Sequence, residues 1–178
     1  MDLIERSQAG SEEAFAELFG EYKNLVYKTA FLMLGSAEEA EDALQEVFIR
    51  VYESLSTYDP SKGAFTTWLH QITVNYCLNR LRRRRVRLPL DTVSSILRTW
   101  TGAPFVRRWT EREAIQEALD QLSDKLRATV VLRYYWDLSY AEIAEIMDIP
   151  LGTVKSRLHQ AHKRLREELE MTMVVGRT

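Results

Sequence analysis

From Leu138 to Arg166 the chain reads "LSYAEIAEIMDIPLGTVKSRLHQAHKRLR", and this stretch limits the fold more than any other. Ser139 followed by Glu142 is a capping-box pattern, which opens a helix by satisfying two orphan backbone donors. Ile143, Ala144 and Ile146 give that short helix an apolar face. Asp148, Ile149 and Pro150 then form a turn, and proline suits the entry of the next helix because it has no N–H to leave unpaired. In that second helix Val154, Leu158, Ala161, Leu165 and Leu169 recur at spacings of 4, 3, 4 and 4, a single buried stripe. Ser156, His159, Gln160 and Lys163 fall opposite the stripe, with Lys155 and Arg166 beside them. Two short helices about a tight turn form a helix-turn-helix, and hydrogen-bonding groups edged by cations on its second helix suit the major groove of duplex DNA.

The rest of the chain speaks the same structural language. Ser11 precedes "EEAFAELF", and Ser36 with Glu39 and Thr110 with Glu113 form two more capping-box patterns, each a helix start. No stretch alternates apolar and polar residues long enough for a sheet. The reading is all-α, with helices expected near 11–34, 36–56, 64–85, 110–122, 124–137, 139–148 and 151–170. Between the third and fourth lies "VRLPLDTVSSILRTWTGAPFVRRW", more than twenty residues without periodicity, too long for a loop inside a compact domain. We therefore expect two small helical domains, 1–86 and 110–178, joined by a linker at 87–109.

The net charge of -2 hides a strong division. Residues 1–79 hold 13 acidic and 5 basic residues, a net of -8, whereas "RLRRRRVRL" at 80–88 holds six arginines and no acid. Residues 151–166 add Lys155, Arg157, Lys163, Arg164 and Arg166, again without an acid. Two basic stripes on an acidic chain are an electrostatic footprint for nucleic acid. The single Cys77 rules out a disulfide framework within the chain and favours a reducing compartment, where it is expected to serve packing. No apolar run approaches the roughly 18 residues that span a bilayer, and the acidic N-terminus does not resemble a signal peptide. A cytoplasmic protein without direct membrane insertion is expected.

Two further helices carry candidate surfaces. In "SAEEAEDALQEVFIRVYESL" the stripe Ala40, Leu44, Val47, Val51 and Leu55 faces inward, and Asp42, Gln45, Glu46, Ile49, Arg50 and Glu53 face outward. An apolar knob ringed by carboxylates and a glutamine fits a protein-docking face, although a solitary exposed isoleucine is also common. In "FTTWLHQITVNYCLNRLRRRR" one apolar face holds Phe65, Leu69, Ile72 and Tyr76, and another holds Val74, Leu78 and Leu81. Between them runs a strip of Trp68, Gln71, Asn75, Asn79 and Arg82, which suits stacking and hydrogen bonding to unpaired bases, with the arginine run holding the backbone. The same amides could instead satisfy loops within the domain.

Taken together, "AEDALQEVFIRVY", "FTTWLHQITVNYCLNRLRRR" and the helix-turn-helix, in this order and spacing, resemble the bacterial RNA polymerase sigma factors of the extracytoplasmic-function (ECF, group IV) class. The likeness runs from about Asp2 to Glu170. It implies a region 2-like helical bundle followed by a region 4-like helix-turn-helix. The resemblance assigns Asp42, Gln45, Glu46, Ile49, Arg50 and Glu53 to docking on the clamp of the largest subunit of core RNA polymerase. It assigns Asp59, Lys62, Phe65, Trp68, Gln71, Asn75, Asn79, Arg82 and Arg83 to the -10 element read as single strand, with a flipped base held by the loop at Asp59 to Phe65. It assigns Thr153, Lys155, Ser156, Arg157, His159, Gln160 and Lys163 to the -35 element of promoter DNA read as duplex. It also implies contact with the flap of the second-largest subunit and an anti-sigma factor as partner. Relatives often carry aspartate at the position of Asn79 and other residues at His159 and Gln160, so no promoter consensus is carried over.

Neither a cofactor nor a small-molecule substrate is expected. Three scattered histidines, one cysteine and no glycine-rich phosphate loop leave little for catalysis to use. His159 and His162 are three apart, but the pattern offers no third metal ligand among cationic neighbours. The alternative is a helix-turn-helix regulator that binds duplex operators without serving as a polymerase subunit.

Overall fold

A computed structural model of the chain describes residues 2–87 and 111–175, and every regular element in them is helical. Helix α1 (Leu3–Gln8) was not foreseen from the periodicity. Its start is set by Asp2 and Glu5, which form a reciprocal capping box. Helix α2 (Glu12–Leu34) is capped by Ser11, whose hydroxyl accepts from the Ala14 N–H at 3.2 Å. It stops at Gly35, in the left-handed conformation at φ 77°, where any side chain would be strained.

Helix α3 (Ala37–Ser54) runs into a 3-10 turn (Leu55–Thr57), so the single helix expected at 36–56 has two parts. The Ser36 hydroxyl accepts from the Glu39 N–H, but the Glu39 carboxylate turns away toward Arg80 and Arg84. The expected capping box is therefore only half formed. Helix α4 (Phe65–Arg87) continues through the whole arginine run, two residues beyond the expected end. The segment expected as a linker lies, apart from Arg87, outside the described residues, as does Thr110 of the capping pattern near 110.

Four helices follow: α5 (Glu111–Asp120), α6 (Asp124–Val130), α7 (Tyr140–Met147) and α8 (Leu151–Val175). The expected helix at 124–137 changes to π winding over Val131–Tyr135, and its chain then turns at Asp137 with φ 52°. Ser139 and Glu142 form the complete capping box that the sequence promised for α7. That helix ends at Asp148, whose φ of 49° turns the chain sharply toward α8. The Asp148 and Ile149 amides bond back to the Glu145 and Ala144 carbonyls at 3.2 and 3.0 Å, which closes the turn.

Apolar burial explains the packing. Leu18, Val26, Ala30, Met33, Val47, Val51, Leu69 and Val74 are fully buried among α2, α3 and α4. Leu132, Ile143, Ile146, Val154, Leu158 and Ala161 fill the space among α6, α7 and α8. Each such Val, Leu, Ile or Met side chain contributes roughly 1.5–3 kcal/mol by leaving water. The expected stripe of α3 is met at Ala40, Val47, Val51 and Leu55, while Leu44 is half-buried and Ala43 and Phe48 join the interior.

The two groups of helices touch. Arg127 of α6 is 8% exposed and donates to the Met33 carbonyl of α2 at 2.9 Å, while also bonding the Leu119 carbonyl and Asp120. Trp136 donates to the Thr29 hydroxyl at 2.9 Å, and its ring meets His70 of α4 edge-on at 5.3 Å. Burial lowers the Arg127 pKa, with Asp120 opposing that shift.

Candidate nucleic-acid interface

Three exposed surfaces carry the residues singled out in the sequence. The outward face of α3 presents Asp42, Gln45, Glu46, Arg50 and Glu53 around Ile49, which is 51% exposed. Tyr52 enlarges the apolar patch with 61% exposure, its ring held edge-on against Phe15 at 5.1 Å. Sequence reasoning misses Tyr52, although its place three residues beyond Ile49 puts it on the same face. Arg50 does not project freely: its guanidinium lies over the Tyr76 ring of α4 at 5.1 Å.

Ion pairs join α3 to the basic end of α4. Arg80 reaches Asp42 at 3.3 Å and Glu39 at 3.6 Å, and Arg84 reaches Glu39 at 3.5 Å. Arg82 and Arg83, on other sides of the helix turn, remain exposed. The arginine run is therefore divided, part of it bracing the fold and part left open.

Along α4 the expected strip is graded. Asn75, Asn79 and Arg82 are exposed, whereas Trp68 and Gln71 are half-buried. Phe65 is 5% exposed and sits within an aromatic cluster with Tyr22, Tyr58 and Trp68, so it supports the strip from beneath. A single helical wheel cannot show this, because Tyr22 and Tyr58 arrive from other elements.

The loop before α4 is tightly organised. The Asp59 carboxylate accepts from the Ser61 amide at 3.0 Å and the Ser61 hydroxyl at 2.7 Å, bonds that hold its pKa below the ordinary value. Lys62 lies 3.8 Å from the same carboxylate and is otherwise open to solvent. Tyr58 donates its hydroxyl proton to the Gly63 carbonyl at 3.0 Å, which anchors the far side of the loop.

On α8, Lys155, Ser156, His159, Gln160 and Lys163 are exposed, as a groove-reading face requires. Thr153 and Arg157 are half-buried; the Arg157 guanidinium leans on the Met147 sulfur at 3.9 Å, and burial lowers its pKa. His162 is turned away from this face to a hydrogen bond with the Tyr134 hydroxyl. Among the described residues no group of three or more His, Cys, Asp or Glu side chains could hold a metal ion.

Comparison with known proteins gives these surfaces a context. The family model for Sigma-70 region 2 matches residues 18–87, and that for Sigma-70 region 4 matches residues 112–165. Over 177 residues the chain is 35% identical to the ECF RNA polymerase sigma factor SigW of Bacillus subtilis, covering 93% of this chain and 94% of that protein. The chain belongs to the ECF RNA polymerase sigma factors.

This sigma factor is thus a transcription initiation factor and not an enzyme. Two solved structures share its fold. CnrH, solved in complex with the cytosolic domain of CnrY, matches with a TM-score of 0.68 at 20% identity, over 95% of this chain and 96% of that one. RpoE of Bartonella quintana, solved in complex with the anti-sigma factor NepR, matches with a TM-score of 0.66 at 20% identity, over 88% and 96%. Among the sigma factor's described residues no helix is long and apolar enough to cross a membrane.

Proposed function

We propose that this sigma factor docks core RNA polymerase through the outward face of α3, with Ile49 and Tyr52 as its apolar centre. In this reading Asp42, Gln45, Glu46 and Glu53 surround that centre and set its orientation. The observation that carries it is the exposure of two large apolar side chains inside an acidic rim, on a helix otherwise fully satisfied by its own core.

The strip of α4 and the loop at Asp59–Phe65 then take the -10 element as single strand. Asn75, Asn79 and Gln71 supply hydrogen bonds, Trp68 an aromatic wall, and Lys62, Arg82 and Arg83 backbone contacts. The face of α8 takes the -35 element as duplex, with Ser156, His159 and Gln160 toward base edges and Lys155 and Lys163 toward phosphates. Thr153 and Arg157, half-buried at its flank, complete that reading face. Base flipping and unpairing cost a few kcal/mol, and the docked polymerase offsets this by presenting two tethered readers at high effective concentration.

The domain bounds that go with this reading are 1–86 and 110–178, with 87–109 as the connection. A cytoplasmic location and an anti-sigma factor as partner accompany it; the co-crystal structure of the neighbour RpoE with the anti-sigma factor NepR supports the latter. Run-off transcription with purified core polymerase tests the whole. Added sigma factor should produce defined transcripts from a cognate promoter, and failure to direct initiation overturns it. Tight binding of the isolated protein to duplex operators would favour the regulator alternative instead.

A further inference from the structure

We infer that the first turn of α8 is where the -35 duplex comes nearest to the protein. Gly152 is kept without a side chain so that its backbone can press against the groove, and Leu151 beside it meets a thymine methyl group. The inference deepens the reading of α8 as the -35 reader and rests on it.

Nothing inside the described chain calls for a glycine at position 152. A Cβ built on it would meet no atom within 4 Å, and its backbone lies outside the left-handed region that favours glycine. It is the second residue of an α-helix, and glycine is the poorest helix former after proline. Alanine would fit the space and strengthen the helix. A residue that weakens its own element, and answers no need of the fold, leaves room for something outside the chain. Open space alone does not decide this, since Gly20 on the exposed side of α2 is equally open. Register does. Gly152 stands one turn before Ser156 and two before His159, in line with the face that carries the base-reading groups.

Along that face the side chains grow in reach from front to back. Gly152 has none, Ser156 has a single hydroxymethyl, His159 and Gln160 span the middle, and Lys163 is the longest; all five residues are exposed. A helix lying parallel to the base edges would need equal reach at every turn. A graded row fits a helix set obliquely, its front deepest in the groove and its rear reaching a phosphate with a long cation. At the deep end the backbone itself makes the contact, and a Cβ at position 152 would hold the DNA off.

Leu151 supplies the chemistry of that contact. It is 43% exposed, whereas Val154 and Leu158 of the same helix are enclosed. A lone exposed leucine is ordinary, but this one adjoins Gly152 at the deep end of the reading face. Its side chain neither donates nor accepts a hydrogen bond. What it can recognise in the major groove is therefore the thymine methyl, the apolar group displayed there.

The test uses the full chain bound to core polymerase, with promoter duplexes that the wild-type holoenzyme enriches from a pool randomised upstream of the start site. Gly152→Ala should raise the melting temperature of the chain by up to about 3 °C and yet weaken filter binding of the holoenzyme to these duplexes by about tenfold. A merely structural role would move the two quantities together. Replacing each upstream thymine in turn by deoxyuridine, which lacks only the methyl, should weaken wild type several-fold at one position and Leu151→Ala at none. Equal affinity of Gly152→Ala and wild type overturns the close approach. A wild type indifferent to every methyl, or a deficit that persists in Leu151→Ala, overturns the thymine contact. Lys163→Ala tests the underlying reading in the same assay. If it weakens binding and Gly152→Ala does not, only the close approach falls; if neither alters binding, α8 is not the -35 reader.

Discussion

Trp136 donates its indole N–H to the Thr29 hydroxyl at 2.9 Å, although 107 residues separate the two in sequence. Thr29 is completely enclosed, so its oxygen has no water to turn to when this donor is removed. Trp136→Phe keeps an aromatic ring against His70 but loses the N–H. It should cost about 1 kcal/mol and lower the melting temperature by roughly 2–4 °C for a chain of this size. Circular dichroism on heating reads this directly, and an unchanged midpoint would show the bond to contribute nothing.

His70 gives the fold a pH dependence of fixed sign. Burial lowers its pKa from 6.5 to about 4, so the folded chain binds fewer protons than the unfolded chain between these values. Stability is then full above about pH 6.5 and declines as pH falls toward 4, by up to about 3 kcal/mol once both states are protonated. Urea unfolding at stepped pH should show the decline in wild type, and His70→Leu should flatten it over that window. Parallel curves for the two proteins would mean that His70 is hydrated.

Ile49→Asp should weaken binding to core polymerase by at least about tenfold while leaving the melting temperature unchanged, because half of this side chain already faces water. Tyr52→Ala should act in the same direction. A titration of labelled protein with core polymerase measures both. Undiminished affinity in both variants would remove the α3 face from docking.

Lys163 and Arg157 should separate by mechanism, though both are cations of the same helix. Lys163 is exposed and weakly paired with Glu167 at 3.9 Å, so Lys163→Ala should reduce the slope of log affinity against log salt by about 0.9 for one lost phosphate contact. Arg157 leans on Met147, so Arg157→Ala should lower thermal stability more than it alters that slope. Filter binding to -35 duplexes across a salt series, run beside melting curves, distinguishes the two.

Cys77 is fully enclosed, and burial pushes its thiol pKa up to about 12. Iodoacetamide should leave it unmodified in the native protein and alkylate it readily in denaturant, as intact mass spectrometry would show. Rapid alkylation under native conditions would contradict the packing of α4 against α3.

The helix-turn-helix was legible because each of its signals is local. Ser139 with Glu142 starts α7, Asp148 and Pro150 separate the helices, and the stripe from Val154 to Leu165 repeats at helical spacing. The outward position of Ile49 was legible for the same reason. Helix α1 escaped because six residues are too few to show a period, although Asp2 and Glu5 held the capping signal. The packing of Phe65 and Trp68 against Tyr22 and Tyr58 was not legible, since those rings come from other elements. The meeting of Arg127 with Met33 spans 94 residues and leaves no trace in the pattern of either helix. Contacts of that kind depend on how whole elements pack, and a periodicity argument sees one element at a time.

The shared carboxylate of Glu39 has a mechanical meaning. With Arg80 and Arg84 both drawn to it, Arg80 also on Asp42, and Ala43, Val47 and Cys77 fully enclosed, α3 and α4 have little slack between them. Ile49 of α3 and Asn79 of α4 thus stand on two helices braced as one plate. If α3 docks polymerase and α4 holds the unpaired strand, as proposed, loosening that brace at Glu39 would blur where the strand is placed.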